Sequence, residues 1–180
     1  MTVTELLTRN PTTIISVAPD RKGSFNFPQG IGTDDPFLDG VQLHAGLRLL
    51  RYNRPHLSPR YERLWPALTA IRAAVTMFGG ERIVPEVLVT RAGLSGRVDL
   101  RADGPQGIGH VEVKVVGRLP DAPRQRDLRQ MSLYLSMAKG RSPSWCAIIY
   151  LNMADGQARY FLFSDAIATL TESAASMGRN

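Results

Sequence analysis

Cysteine is nearly absent from this chain. Cys146 stands alone, so no internal disulfide forms, and one thiol cannot build a cysteine-rich zinc site or an iron–sulfur cluster. No apolar run approaches the roughly 20 residues of a membrane-spanning helix. The opening Met1-Thr2-Val3-Thr4-Glu5 lacks the basic-then-apolar pattern of a secretion signal. These absences lead to the expectation of a cytoplasmic protein with no membrane partner. Lysine is also scarce: only Lys22, Lys114 and Lys139 occur, so arginine supplies most of the positive charge. The net charge is +6 and the pI about 10.0. Guanidinium groups grip phosphate bidentately and tolerate partial desolvation, which suits a polyanion partner. The same charge also serves ordinary solubility, so charge alone leaves both readings open.

What is present reads as one domain of mixed α/β class, since 180 residues suit a single core. Residues 1–40 are dense in turn formers (Asn10-Pro11, Pro19-Asp20, Lys22-Gly23) and are expected to be an arm or irregular lead-in, with a short strand over Thr13–Val17. Apolar spacing predicts a helix over Val41–Tyr52 and a second starting at Ser58-Pro59 and ending at Gly79-Gly80. Strands are expected over Ile83–Thr90, Ser95–Arg101 and His110–Val116. A helix over Asp121–Lys139 follows and stops at Gly140. Two more strands, Trp145–Leu151 and Ala158–Phe163, precede a closing helix capped by Ser164-Asp165. There is no internal repeat and no low-complexity tract.

The chemistry concentrates on two of these strands. In Gly96-Arg97-Val98-Asp99-Leu100-Arg101, Val98 and Leu100 share one face and Arg97, Asp99 and Arg101 the other. In His110-Val111-Glu112-Val113-Lys114-Val115, the three valines oppose His110, Glu112 and Lys114. With Ala102–Gly109 as a loop, a symmetric hairpin sets Arg101 opposite His110 and Asp99 opposite Glu112. Directly opposed carboxylates repel, and a divalent cation relieves that by taking oxygen ligands from both. Lys114 shares the face of Glu112, where an ammonium can orient water and stabilise charge on phosphorus. Two acids, a metal and a lysine suffice for phosphodiester hydrolysis. Each element alone has an ordinary structural reading: an exposed ion pair, a turn cap, a core tyrosine.

Together, Gly96-x-x-Asp99, Glu112-x-Lys114 and Gln130-x-x-x-Tyr134 resemble the RecB-like, CRISPR-associated branch of PD-(D/E)XK nucleases, over about residues 41–163. The resemblance implies a restriction-endonuclease-like core, a central mixed β-sheet flanked by helices, with residues 41–180 as the nuclease domain. It implies Mg²⁺ or Mn²⁺ bound by Asp99 and Glu112 with the carbonyl of Val113. Lys114 would be the catalytic lysine, and Gln130 and Tyr134 would contact substrate or the catalytic strands. His44, on a helix well before Asp99, is similar to a metal-binding histidine of that branch; His56 and His110 are weaker candidates. Glu86 would stand in the site or just behind it. Arg97, Arg124, Arg126 and Arg129 are candidates for following a DNA backbone. Relatives with an iron–sulfur cluster use four cysteines, and this chain has one. It also lacks a Gly-x-x-x-x-Gly-Lys-Ser/Thr phosphate loop, so a helicase or recombination partner would be a separate chain. The implied activity is exonuclease-like DNA end processing. Holliday-junction resolution, other structure-specific cleavage and non-catalytic nucleic-acid binding are the alternatives.

Overall fold

The computed structural model describes residues 1–52, 55–138 and 142–177. Its strands are β1 (Arg21–Asn26), β2 (Arg82–Arg91), β3 (Leu94–Gly104), β4 (Gly107–Val115), β5 (Trp145–Asn152) and β6 (Gln157–Phe163). They form one six-stranded sheet in the order β1-β6-β5-β4-β3-β2. Its helices are α1 (Val3–Arg9), α2 (Pro36–Leu47), α3 (Pro59–Met77), α4 (Gln125–Met137) and α5 (Ile167–Met177), with a 3₁₀ turn at Arg48–Arg51. The sheet is mixed: β4 and β5 pair in parallel and the other neighbours are antiparallel. A parallel pair needs a crossover connection, and α4 supplies it.

Period-two alternation divides the core into two layers. Val111, Val113, Ala147, Ile149 and Leu151 pack against Leu43 and Leu47 of α2 and Leu64, Leu68 and Ile71 of α3. Cys146, Ile148 and Tyr150 face the opposite way, onto α4 and α5. All eight residues of β5 are buried, as a central strand covered on both faces requires. Among the described residues no helix is long and apolar enough to cross a membrane.

Residues 1–40 are not an irregular lead-in. They contribute α1, capped by reciprocal bonds between Thr2 and Glu5, and the edge strand β1. Thr13–Val17 is not a strand. Its backbone polar groups find a side chain instead, because the Gln125 amide accepts from Ile15 N–H (2.8 Å) and donates to Ile15 C=O (3.0 Å). Helix α2 starts at Pro36 rather than Val41, with Asp35 accepting from the Phe37 amide at 2.9 Å. Ala102–Gly109 is mostly strand: β3 and β4 continue to a Gly104↔Gly107 pair around a two-residue turn, with Gly107 at φ +94°. The turn before α5 is held by Asp20, which accepts from the Ser164 and Asp165 amides. The helix expected over Asp121–Lys139 is α4, which starts only at Gln125 and ends at Met137 with Ala138 already extended; the expected stop at Lys139 and Gly140 lies outside the described residues.

Candidate active site

The pairing of β3 with β4 runs from the hairpin turn through Arg101↔His110 to Leu100↔Val111 and ends there, one residue short of the expected Asp99–Glu112 pair. Leu100 and Ala102 pack with α2 and α3, whereas Val98, two residues earlier, packs with α1 and α4. The strand has changed faces around Asp99. Its neighbour β2 bends at the same level: Glu86, between the Pro85↔Leu100 and Val87↔Val98 pairs, has φ +55°, a value non-glycine residues seldom adopt. A rift therefore opens between β3 and β4 beside Asp99.

Groups from both faces of the sheet converge on that rift. Asp99 Oδ2 accepts from the Val113 amide at 2.8 Å and lies 3.3 Å from His44 Nε2. The N–H and C=O of one residue leave a strand on the same edge, so the Val113 carbonyl opens to the same rift. His44 Nδ1 contacts the Gly40 carbonyl at 2.7 Å, which fixes the ring along α2. Burial disfavours the imidazolium, but the Asp99 hydrogen bond and charge, the Gly40 carbonyl and Glu112 outweigh it and raise the His44 pKa to about 9.

On the α4 side, Lys114 Nζ donates to Glu112 Oε1 (2.7 Å) and to Gln130 Oε1 (2.8 Å), and Gln130 Nε2 donates to the Tyr134 hydroxyl (2.8 Å). Glu112 is buried, and its Oε2 has no hydrogen-bond partner. Burial and the charge of Asp99 push the Glu112 carboxyl well above the usual carboxylate range, against the pull of Lys114 and His44. Burial works against the Lys114 ammonium, but Glu112, Asp127 and Asp99 hold it firmly protonated. Tyr134 is raised to about 12 by burial and by Glu112, so it stays a phenol at neutral pH. Gly96 lies under that ring: a Cβ there would meet Tyr134 Cε1 at 2.5 Å.

Asp127 and Tyr150 belong to the same network, and sequence reasoning did not single them out. Tyr150 stands beside Lys114 in the parallel register and donates to Asp127 Oδ2 at 2.6 Å, while Asp127 Oδ1 lies 4.0 Å from Lys114 Nζ. Asp127 one turn before Gln130 on α4 was the available signal.

The remaining candidates divide. Glu86 sits on the strand beside Asp99 and pairs with Arg97 at 3.7 Å, and both are exposed. Arg126 is exposed, and Arg124 lies over the Tyr150 ring at 5.7 Å. Arg129 does not face solvent, contrary to its expected role on a DNA backbone. It is buried and donates to the Thr13 carbonyl at 2.8 Å, tying the N-terminal segment to α4. His110 is buried on the hairpin, and burial together with Arg101 lowers its pKa to about 4. His56 lies between the 3₁₀ turn and α3.

Among the described residues, no three His, Cys, Asp or Glu side chains are gathered closely enough to hold a metal as they stand. No protein-family model matches the chain, and no curated protein matches it. Among solved structures, the chain is similar to the crystal structure of SSO0001, with a TM-score of 0.38 and 14% identity over 97% of this chain and 82% of that one. The functional reading rests on the site's own chemistry.

Proposed function

We propose that this chain is a metal-dependent DNA nuclease of the PD-(D/E)XK type, built on a restriction-endonuclease-like core and acting in exonuclease-like end processing. The observation that carries the reading is a buried carboxylate oxygen with no partner, Glu112 Oε2, with an acid across the rift and a protonated lysine on its other oxygen, Oε1. A buried, unsatisfied carboxylate oxygen is costly, and cation binding would remove that cost. Asp99, Glu112 and the Val113 carbonyl offer hard oxygen donors, and His44 adds one nitrogen, a set suited to Mg²⁺ or Mn²⁺. Such an ion, when bound, supplies Lewis acidity and lowers the pKa of water.

The chain's own groups have separable roles in this reading. Lys114, kept charged by Glu112, Asp127 and Asp99, faces a phosphoryl oxygen as a cation and not as a base. Gln130 accepts from Lys114 and donates to Tyr134, which leaves the phenolic proton free to donate to substrate. Asp127 and Tyr150 hold Lys114 and α4 in position from beneath. A helicase or recombination enzyme is the partner class such an end-processing domain would serve.

The test is incubation of the purified protein with linear, circular, single-stranded and branched DNA in Mg²⁺, Mn²⁺ or EDTA, beside Asp99→Ala. Metal-dependent loss of linear but not circular DNA supports the exonuclease reading. Cleavage confined to branched substrates supports the junction-resolving alternative. Binding with no cleavage in either metal supports a non-catalytic module and overturns the proposal.

A further inference from the structure

Arg72 of α3 is a partly buried cation with no acid beside it. Its Nη2 donates to the Leu50 carbonyl (2.7 Å) and the Tyr52 carbonyl (2.6 Å), and its guanidinium lies over the Trp65 ring at 6.0 Å. Its Nε is buried and has no hydrogen-bond partner among the described residues. Two carbonyls orient the group without neutralising it. Taking an unpaired charge out of water is costly, and an anion held nearby would offset that cost. Exposed Arg51, at the end of the 3₁₀ turn, and exposed Arg82, at the start of β2, line the same groove as Arg72, a space of about 500 Å³ between that turn, α3 and β2. Among the described residues none of these three guanidinium groups forms an ion pair, and neither does Glu81, the carboxylate on the groove wall. The groove therefore carries a surplus of positive charge.

Both walls of the groove lead to the rift. Leu50 and Ile83 pack into the core layer that α2 and α3 cover, so the groove lies on the face from which His44 reaches Asp99. Helix α2 continues past His44 straight into the turn that ends at Arg51, about 10 Å on at 1.5 Å per residue. Along the other wall, β2 runs from Arg82 to its bend at Glu86 beside Asp99, about 13 Å at 3.3 Å per residue. The two routes agree. Their span matches about three or four phosphates along one strand of a duplex, at about 3.4 Å each.

We propose that Arg51, Arg72 and Arg82 form a second phosphate subsite, which grips the phosphodiester backbone of a DNA strand about three or four nucleotides from the bond being cut. The proposal rests on the nuclease reading above. A guanidinium offers paired N–H donors that match two phosphate oxygens, so arginines in a groove fix a phosphate in place where scattered charges would only attract it. A backbone contact of this kind sets the position of the strand and reads no base.

Arg51 and Arg82 are the groups to change, because both are exposed, whereas Arg72 also clamps the turn. The experiment compares wild type with Arg51→Gln/Arg82→Gln and with Arg51→Lys/Arg82→Lys, measuring anisotropy of a labelled duplex in EDTA across a salt series. The Gln pair should bind about 10-fold more weakly or worse, and its plot of log affinity against log salt should be flatter by about 1. The Lys pair should keep the wild-type slope, since its charge still displaces counterions. A neutral methylphosphonate moved along the strand should weaken wild-type binding at about three or four nucleotides from the mapped cut, and should cost the Gln pair nothing there. Wild-type affinity and slope in the Gln pair, with cleavage intact, overturn the subsite and leave the nuclease reading standing. Equal loss in both pairs with an unchanged slope marks a structural effect and also overturns it. If thymidine monophosphate binds wild type but not the Gln pair while duplex affinity is the same in both, the groove takes a free nucleotide and the backbone subsite is overturned. A flatter slope in the Gln pair, from a wild type that binds DNA but cuts none in Mg²⁺ or Mn²⁺, upholds the groove and sinks the nuclease reading. Failure of wild type to bind any DNA overturns both.

Discussion

Asp99 and Val113 meet across the gap where β3 and β4 part, the carboxylate accepting the Val113 amide at 2.8 Å. One oxygen of Asp99 thereby serves the backbone of the strand bearing Glu112 and Lys114 while also meeting His44. A reading from charge repulsion alone would have Asp99→Ala stabilise the metal-free protein. The geometry reverses that. Removing the carboxylate leaves a part-buried amide without its acceptor, at a cost of about 1–3 kcal/mol. Asp99→Ala should therefore lose cleavage and also unfold at lower urea, in a denaturation series without metal. A midpoint at or above wild type would refute the structural half of this role.

His44 gives a pH signature in the same metal-free protein. Its pKa is about 9 in the fold against an ordinary 6.5, so the protonated form is the one that folding favours. Its stabilisation is complete below pH 6.5 and is lost as pH rises through 9. Melting temperature should fall across that window in wild type and fall less in His44→Ala. Metal titrations of activity add a second readout: a nitrogen ligand should favour Mn²⁺, with partial rescue of His44→Ala by excess Mn²⁺. Identical metal titrations with a lower melting temperature would move His44 out of the metal site.

Lys114 has two separable functions, one toward substrate and one toward Glu112. In Lys114→Ala the buried Glu112 carboxylate loses its counter-charge, a change that typically costs about 3–5 kcal/mol. Chemical denaturation should register that loss, and Glu112→Gln in the same background should recover most of it. DNA binding should survive in Lys114→Ala, because one phosphate contact among several is removed, whereas cleavage should not. Wild-type stability in the single variant would mean that the pair is not coupled as described.

Gly96 is required by Tyr134. An added methyl would press on the ring at 2.5 Å and on Val3 at 2.8 Å, so Gly96→Ala must shift one of them. Overpacking of this kind costs about 1–3 kcal/mol, and displacement of Tyr134 should lower activity as well. Combining Gly96→Ala with Tyr134→Ala should cost less than the sum of the two changes. Strict additivity in a double-mutant cycle would show that the clash is taken up elsewhere.

The local motifs were legible because each is a short pattern on one element. Alternation placed Glu112 and Lys114 on one face, and helical spacing joined Gln130 to Tyr134. What escaped depends on distant chain. Strand β1 has Gly23 in its interior and reads as a turn; the glycine is there because Tyr160 of β6 leaves no room for a Cβ. The Asp99–Glu112 register failed because the ladder opens where β2 bends at Glu86, which the hairpin's own sequence does not encode. Arg129 looked like a surface charge because helix spacing cannot reveal that the Thr13–Ile15 segment crosses over α4.

The place of β1 in the sheet also sets a schedule. Arg21 pairs with Leu162, so the edge strand waits for a partner made five strands later along the chain. At about 5–20 residues per second, on the order of ten seconds separate the two on the ribosome. Until then the backbone of Arg21–Asn26 has no ladder to join, and once β6 emerges it too presents an open edge. Another nascent copy offers the same complementary pair of edges. The interval before β1 closes the sheet is thus the stage at which strand exchange between chains competes most directly with completion of the fold.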